Sequence, residues 1–231
     1  MKIRYDNNGD ARMDTALTAI ALFLAAMMVI SFTSSPITTG TKEGDRAPNI
    51  VAKAYNGSVW QDFDLQSYYD YDWSIDNNDT KDSQWVMIEF MDTDCPYCFN
   101  TAKDFQEASN IFTNLNPQWK GPHVSFMASA TELTGLQGHD SSREEIMAFR
   151  DKTTGEMCNA SDVDCSTRDG QAFAIPFIDD LDKSHMEKWG IGGTPTYFLI
   201  QPDGIIAWVS SEHPNEKFYD AIDRLVPQES A

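Results

Sequence analysis

The sequence predicts an α/β fold: a mixed β-sheet sandwiched between helices, with an N-terminal β-hairpin and one N-terminal transmembrane helix. Three observations predict it. Apolar runs of strand length alternate with stretches of helical period between residues 85 and 189. Two further runs flank Pro202-Asp203-Gly204, a hairpin signal, and an amphipathic stretch comes after them. Near the N-terminus, residues 15–32 hold no charged side chain.

Residues 15–32 (TALTAIALFLAAMMVISF) would span roughly 27 Å as a helix, close to the apolar thickness of a bilayer. Lys2, Arg4 and Arg12 precede the stretch and no basic residue comes after it until Lys42. That asymmetry puts a tail, 1–14, inside the cell membrane and the rest outside as a single-pass protein. The rival reading is a cleaved signal, whose apolar region runs about 7–15 residues, with small residues at Ser31 and Thr33 as a weak cleavage site. Both readings export the domain. Residues 33–47 are small, polar and punctuated by Gly and Pro, as in a linker, and the domain is expected over 48–227.

Within the domain, 49–55 and 59–65 read as strands around Asn56-Gly57. Residues 66–83 are acidic and aromatic without a period, a surface insertion whose Tyr and Trp side chains equally suit a partner patch. Residues 85–91 (WVMIEFM) form a nearly continuous apolar run, the mark of a strand buried on both faces. From Pro96 to Asn114 the apolar positions Cys98, Ala102, Phe105, Ala108 and Phe112 recur at steps of three and four, with Pro96 suited to the first helical position. Next come a strand over 122–130, a helix over 142–151, a strand over 172–178 and a helix over 180–189. The hairpin strands are 196–201 and 205–210, and the closing helix is 215–226 with Phe218, Ala221, Ile222 and Leu225 on one face. Residues 152–171 are polar and carry Cys158 and Cys165, an insertion by composition.

Acidic residues outnumber basic ones 36 to 17, for a formal charge of −19. The first 35 residues balance, so the domain carries all of that excess. Such a surface repels phosphates, which argues against any nucleic-acid partner. With 41% hydrophobic residues the chain has enough apolar side chain for a real core.

The chemistry concentrates in Cys95-Pro96-Tyr97-Cys98, at the junction of a strand and a helix. A thiolate attacks disulfides and a thiol does not, so such a site must stabilise negative charge on sulfur. Free N–H groups at a helix N-terminus do that. Cys95 would sit exposed at the cap and attack, while Cys98, one turn inside, would resolve the mixed disulfide. Asp92 and Asp94 stand close by, and their charges would raise the Cys95 pKa. Glu89 lies six residues before Cys95 in an apolar strand, where burial of a charge is costly.

These residues, with Gly44-Asp45-Arg46-Ala47-Pro48, Glu89-Phe90, Trp189-Gly190-Ile191-Gly192-Gly193-Thr194-Pro195-Thr196-Tyr197-Phe198-Leu199-Ile200 and Asp203-Gly204, resemble the thioredoxin superfamily, specifically its membrane-tethered TlpA-like thiol–disulfide oxidoreductases. The resemblance implies a thioredoxin-like fold and catalysis without a bound cofactor. It implies a cis Pro195 against the cysteines, and a Thr194 backbone that pairs with an incoming strand beside Pro96 and Tyr97. It implies that Glu89 relays the proton of Cys98. The expected partners are exported protein disulfides and a membrane thiol donor, with reduction favoured by family habit. The Asp94 before the first cysteine and the Pro-Tyr pair depart from the usual pattern.

Outside the cytoplasm Cys158 and Cys165 most simply form a local disulfide. A second redox pair, or a metal held by all four cysteines, is the other possibility. His123, His139, His185 and His213 show no ligand spacing, so no metal is expected. The different-class alternative is a copper-delivery protein on the same fold, whose cysteines are spaced by three residues and not two.

Overall fold

The computed structural model describes residues 8–33, 37–74, 84–135, 139–158 and 163–228, with side-chain surroundings in the first segment confined to 15–28. The chain divides into two compact units, Met1–Thr38 and Thr39–Ala231. In the first, α1 (Asn8–Thr33) is a continuous helix whose residues 15–28 are exposed. Among the described residues no helix is long and apolar enough to cross a membrane. The side chains of 29–32, the end of the expected anchor, lie outside those described, as do residues 34–36 of the linker. That linker also ends sooner than 47. Gly44 N–H donates to Ile206 O and Ala47 N–H to Gly204 O, both at 2.9 Å, so the chain from Thr39 is fastened to the second unit.

Among the described residues of that unit, seven strands form one mixed sheet in the order β2-β1-β7-β4-β3-β8-β9. The hairpin strands β1 (Val51–Tyr55) and β2 (Trp60–Asp64) pair in register from Val51↔Asp64 to Tyr55↔Trp60. Asn56 Oδ1 accepts from Ser58 N–H and Val59 N–H, both at 3.0 Å, and so closes the turn with its own side chain. At the centre, β3 (Trp85–Met91) runs parallel to β4 (Val124–Thr131), and every residue of both is buried. Strand β7 (Phe177–Asp180) lies parallel to β4, and β8 (Thr196–Ile200) and β9 (Ile206–Val209) extend the other edge antiparallel. Gly204 closes the β8–β9 hairpin at φ +85°, and a Cβ there would come within 2.8 Å of the Tyr69 ring. Only glycine meets both demands.

Because alternate residues of a strand face opposite sides, β3 divides its side chains between two cores. Trp85, Met87 and Met91 join the cluster built by α2 (Pro96–Ile111), α3 (Arg143–Asp151) and α5 (Phe218–Leu225). Val86, Ile88 and Phe90 join the cluster of Ile50, Met186 and Trp189, on the side of α4 (Ser184–Lys188). The predicted stripe of α2 is buried throughout, from Cys98 at 1% exposure to Phe112 at 4%. Parity then puts Glu89 on the α2 side.

Two element boundaries move for identifiable reasons. Residues 172–176, expected to begin a strand, instead tie to the end of α3. Phe173 N–H donates to Arg150 O at 2.9 Å, and Arg150 Nε donates to Ile175 O at 2.8 Å. Helix α4 begins at Ser184 because Asp180 ends β7 and accepts from His185 and Met186 N–H at 2.7 and 2.8 Å. The closing helix begins at Phe218, three residues later than its polar start suggests.

The insertion 152–171 is not a loose polar excursion. Its described part holds a small two-stranded sheet, β5 (Met157–Cys158) with β6 (Val163–Asp164). It also holds a disulfide, Cys158–Cys165, whose two residues are fully buried. Arg168 is buried too and donates to the carbonyls of Phe149, Asp169, Arg150 and Gln171. Residues 159–162, like 75–83 of the other insertion, lie outside the described residues. In the described part of 66–83, Trp73 packs edge-on against the buried Trp85 at 5.9 Å. The chain-entropy model gives about 2.5 kcal/mol for a loop as short as the one the disulfide closes. A Cys158→Ala/Cys165→Ala variant is therefore expected to melt about 5–10 °C lower in a calorimetric scan. An unchanged melting temperature would show that the loop is held by packing alone.

Candidate dithiol site

The site forms where β3 ends and α2 begins. Cys95 is the N-cap of α2, extended at φ −74° and ψ 118°, and Pro96 occupies the first turn, where its missing N–H costs nothing. No side chain caps this helix end, so its free N–H groups face the Cys95 sulfur. Both cysteines are free thiols. Cys98 lies one turn on and is 1% exposed, while Pro96 and Tyr97 between them are exposed, Tyr97 by 73%.

Across from them, the Thr194–Pro195 peptide bond is cis. Cys95 Sγ lies 3.2 Å from the Thr194 carbonyl oxygen, so the Gly192-Gly193-Thr194-Pro195 loop touches the sulfur directly. Cys95, expected to be exposed, is only 5% exposed, with that loop against its sulfur and the α2-side core around it.

The two sulfurs have opposite electrostatics. A hydrogen bond from the Cys98 thiol lowers the Cys95 pKa to about 6, against some desolvation, with help from Thr194 and from the N–H groups of Cys98 and Tyr97. Burial pushes the Cys98 thiol well above its usual 9, and the charges of Glu89 and Cys95 push it the same way. The expectation that Asp92 and Asp94 raise Cys95 is overturned. Asp92 is fully buried and accepts N–H bonds from Asp94, Leu133 and Thr134 at 2.9, 2.9 and 2.5 Å. Asp94 points at His139, with Oδ2 3.3 Å from Nε2. Neither carboxylate is directed at the thiolate.

Glu89 is 3% exposed, and burial raises its pKa to about 8, against a hydrogen bond from Tyr197. Register explains the partner: Glu89 pairs with Tyr197 of β8 on one side and Ala128 of β4 on the other. The Tyr197 hydroxyl reaches Thr101 Oγ1 of α2 at 3.3 Å. Thus the strand, its neighbour and the helix share one polar thread beneath the dithiol.

A family model described as a thioredoxin-like domain matches residues 72–225, more than half of the chain. The chain belongs to the thioredoxin-like domain family. No curated protein matches its sequence. Among solved structures it is similar to the thioredoxin domain of a thiol-disulfide oxidoreductase from Bacteroides vulgatus, at 16% identity and TM-score 0.48, covering 80% of this chain and 99% of that one. It is also similar to a thiol:disulfide interchange protein from a Bacteroides species, at 16% identity and TM-score 0.48, covering 82% and 91%. A reduced 2-Cys peroxiredoxin from Plasmodium vivax matches at 15% identity and TM-score 0.45, covering 73% and 71%.

Within this thioredoxin-like domain the structure brings Cys95, Cys98, Glu89, Pro96, Tyr97, Thr194 and Pro195 around one helix end. It keeps Cys158 and Cys165 apart as their own disulfide, so the four cysteines do not share a metal. Sequence reasoning missed Tyr197 and Thr101, which only strand register joins to Glu89. It also missed His139 and Glu145, which meet Asp94 beside Cys95. Their spacing matches no ligand motif, so nothing in the linear order announces them.

Proposed function

We propose that this domain is a thiol–disulfide oxidoreductase that reduces disulfides of proteins outside the cytoplasm, using Cys95 as nucleophile, Cys98 as resolving thiol and Glu89 as its proton acceptor. The opposite pKa shifts of the two cysteines carry this reading: the sulfur at the helix end, under the 192–195 loop, is charged, and the one a turn deeper is neutral. In the first step the Cys95 thiolate attacks a substrate disulfide. A Cys95–substrate bond forms, the substrate S–S bond breaks, and the released sulfur leaves as a thiolate that takes a proton from water. In the second, Cys98 gives its proton to Glu89 in the fraction of molecules whose carboxylate is ionised, about a tenth at pH 7 for a pKa near 8, and attacks Cys95 Sγ. The mixed disulfide breaks, the second substrate sulfur leaves, and Cys95–Cys98 closes. The substrate is reduced by two electrons and the domain is oxidised by two.

Substrate would approach as an extended strand along the 192–195 loop, whose neighbouring groove is lined by Pro195, Tyr197, Trp208, Pro214 and Phe218. A Cys95 pKa of about 6 supports the reducing direction. Reducing dithiols near pKa 7 sit at about −270 mV and strong oxidants near 3.5 at about −120 mV, and a value near 6 lies toward the reducing end of that range. Display outside the membrane on the charge-free stretch 15–32, with electrons from a membrane thiol carrier, belongs to the same proposal. The Cys158–Cys165 disulfide suits that oxidising side.

The test is a Cys98→Ala trap expressed in cells. Client proteins are expected to accumulate as mixed disulfides on Cys95, released by dithiothreitol. Recovery of no such adduct would sink the reading. A glutathione titration of the wild-type couple then sets direction: a potential near −120 mV would make the domain an oxidant.

A further inference from the structure

We infer that Asp94, His139 and Glu145 form a binding site for a divalent transition-metal ion, Zn²⁺ foremost, one residue before the redox turn. The three side chains come from separate places in the chain: the β3–α2 junction, the segment before α3, and the first turn of α3. They offer two carboxylate oxygens and one imidazole nitrogen, all within 4.8 Å of one another. His139 Nε2 lies 3.3 Å from Asp94 Oδ2 and 3.1 Å from Glu145 Oε2. Ligands held about 2.0–2.2 Å from a tetrahedral Zn²⁺ are separated by about 3.4 Å, so two edges of the site already have the required length.

A second observation points to a missing occupant. Glu145 is 1% exposed, and although its carboxylate meets His139 through Oε2 and takes a hydrogen bond from the Thr93 side chain, its Oε1 has no hydrogen-bond partner among the described residues. A buried carboxylate oxygen without a donor is costly. Charge is compatible with an ion there: a divalent cation with neutral His139 balances both buried carboxylates in their ionised forms. One nitrogen shared by two carboxylates holds at most one proton between them, and a metal replaces that proton while coordinating all three groups. One imidazole with two carboxylates suits a borderline ion, and three protein ligands leave a position open for water. His139, 38% exposed at its side chain, is the entry side.

The site uses neither cysteine and is tested without them. Zn²⁺ is titrated calorimetrically into the full chain carrying Cys95→Ser and Cys98→Ser, so that no free thiol competes. We expect saturable one-to-one binding that His139→Ala and Glu145→Gln each weaken at least about tenfold, while Glu107→Gln, on the exposed face of α2, leaves it unchanged. Circular dichroism melts check that each variant is folded, and His139→Ala, at a partly exposed position, keeps the test valid if Glu145→Gln unfolds. Absence of saturable Zn²⁺ binding, or an affinity that His139→Ala leaves unaltered, would show that the three groups merely share a proton.

Discussion

Cys95→Ser is expected to abolish disulfide reduction, by at least about a thousandfold, while leaving the fold intact. A hydroxyl at neutral pH is almost wholly protonated and a poor nucleophile toward sulfur. In the wild type, the rate of Cys95 alkylation by iodoacetamide should trace one titration with a midpoint near pH 6. The sign is fixed by the direction of the shift. The thiolate is present above that pH, and reactivity is lost as pH falls through it. For the same reason this group stabilises the reduced fold above the ordinary thiol pKa, and the contribution fades as pH falls through about 6. A midpoint near 9 would mean that the helix end and the Cys98 thiol do not act on Cys95.

Magnitudes show what the shift is for. At pH 7 a pKa of 6 in place of 9 raises the thiolate fraction from about 1% to about 90%. Three units of lost basicity, at a Brønsted slope near 0.45, cost about 20-fold in intrinsic nucleophilicity. The net gain in attack is only about fourfold. In the second step Cys98 attacks Cys95 Sγ and the substrate sulfur leaves, so the low Cys95 pKa acts on the first attack and not on that leaving group.

Glu89→Gln is expected to have two separable effects. The first is on stability. The folded pKa of about 8 lies above the ordinary 4.5, so the native state holds a proton that the unfolded chain releases between those values. Stability from this group is complete below about pH 4.5 and is lost as pH rises toward 8, at about 1.4 kcal/mol per unit. By pH 7 the loss is about 3 kcal/mol. Urea melts from pH 5 to 8 should show that slope in the wild type and a flatter one in the variant. The second is on chemistry. General-base assistance is worth about 10²–10⁴-fold, so resolution of the mixed disulfide should slow by at least about 100-fold. Formation of the adduct on Cys95 should not change. A structural role alone would slow both steps together, and an unchanged pH slope would mean that Glu89 is ionised throughout.

The fold was legible because its local signals agree with one another. The run 85–91 matches β3 residue for residue, and the stripe Cys98, Ala102, Phe105, Ala108 and Phe112 is the buried face of α2. Boundaries failed where a side chain took over backbone hydrogen bonds. Arg150 and Phe173 hold 172–176 against α3, and Asp180 delays α4. Neither substitution of partners has a linear signature.

Electrostatics were less legible than structure. Asp92 and Asp94 are close to Cys95 in the chain, and proximity alone says they should oppose its charge. In the fold, Asp92 is consumed by three N–H donors and Asp94 turns to His139. Direction of side chains, which is set by the turn after β3, outweighs separation along the backbone.

What the sequence determined by itself is therefore the local apparatus: two thiols at the start of an amphipathic helix, an acid at an inward position of a buried strand, and a Thr-Pro bend far downstream. Spacing and period specify these, because helix and strand geometry repeat over a few residues. Only the tertiary structure decided which groups surround each sulfur and each carboxyl. Strand register brought Tyr197 beside Glu89, and chain crossing brought His139 and Glu145 to Asp94. Acidity depends on burial and on neighbours within a few ångströms, and beside Cys98 these include Thr194 at Cys95 and Ser141 at Asp94, 99 and 47 positions away.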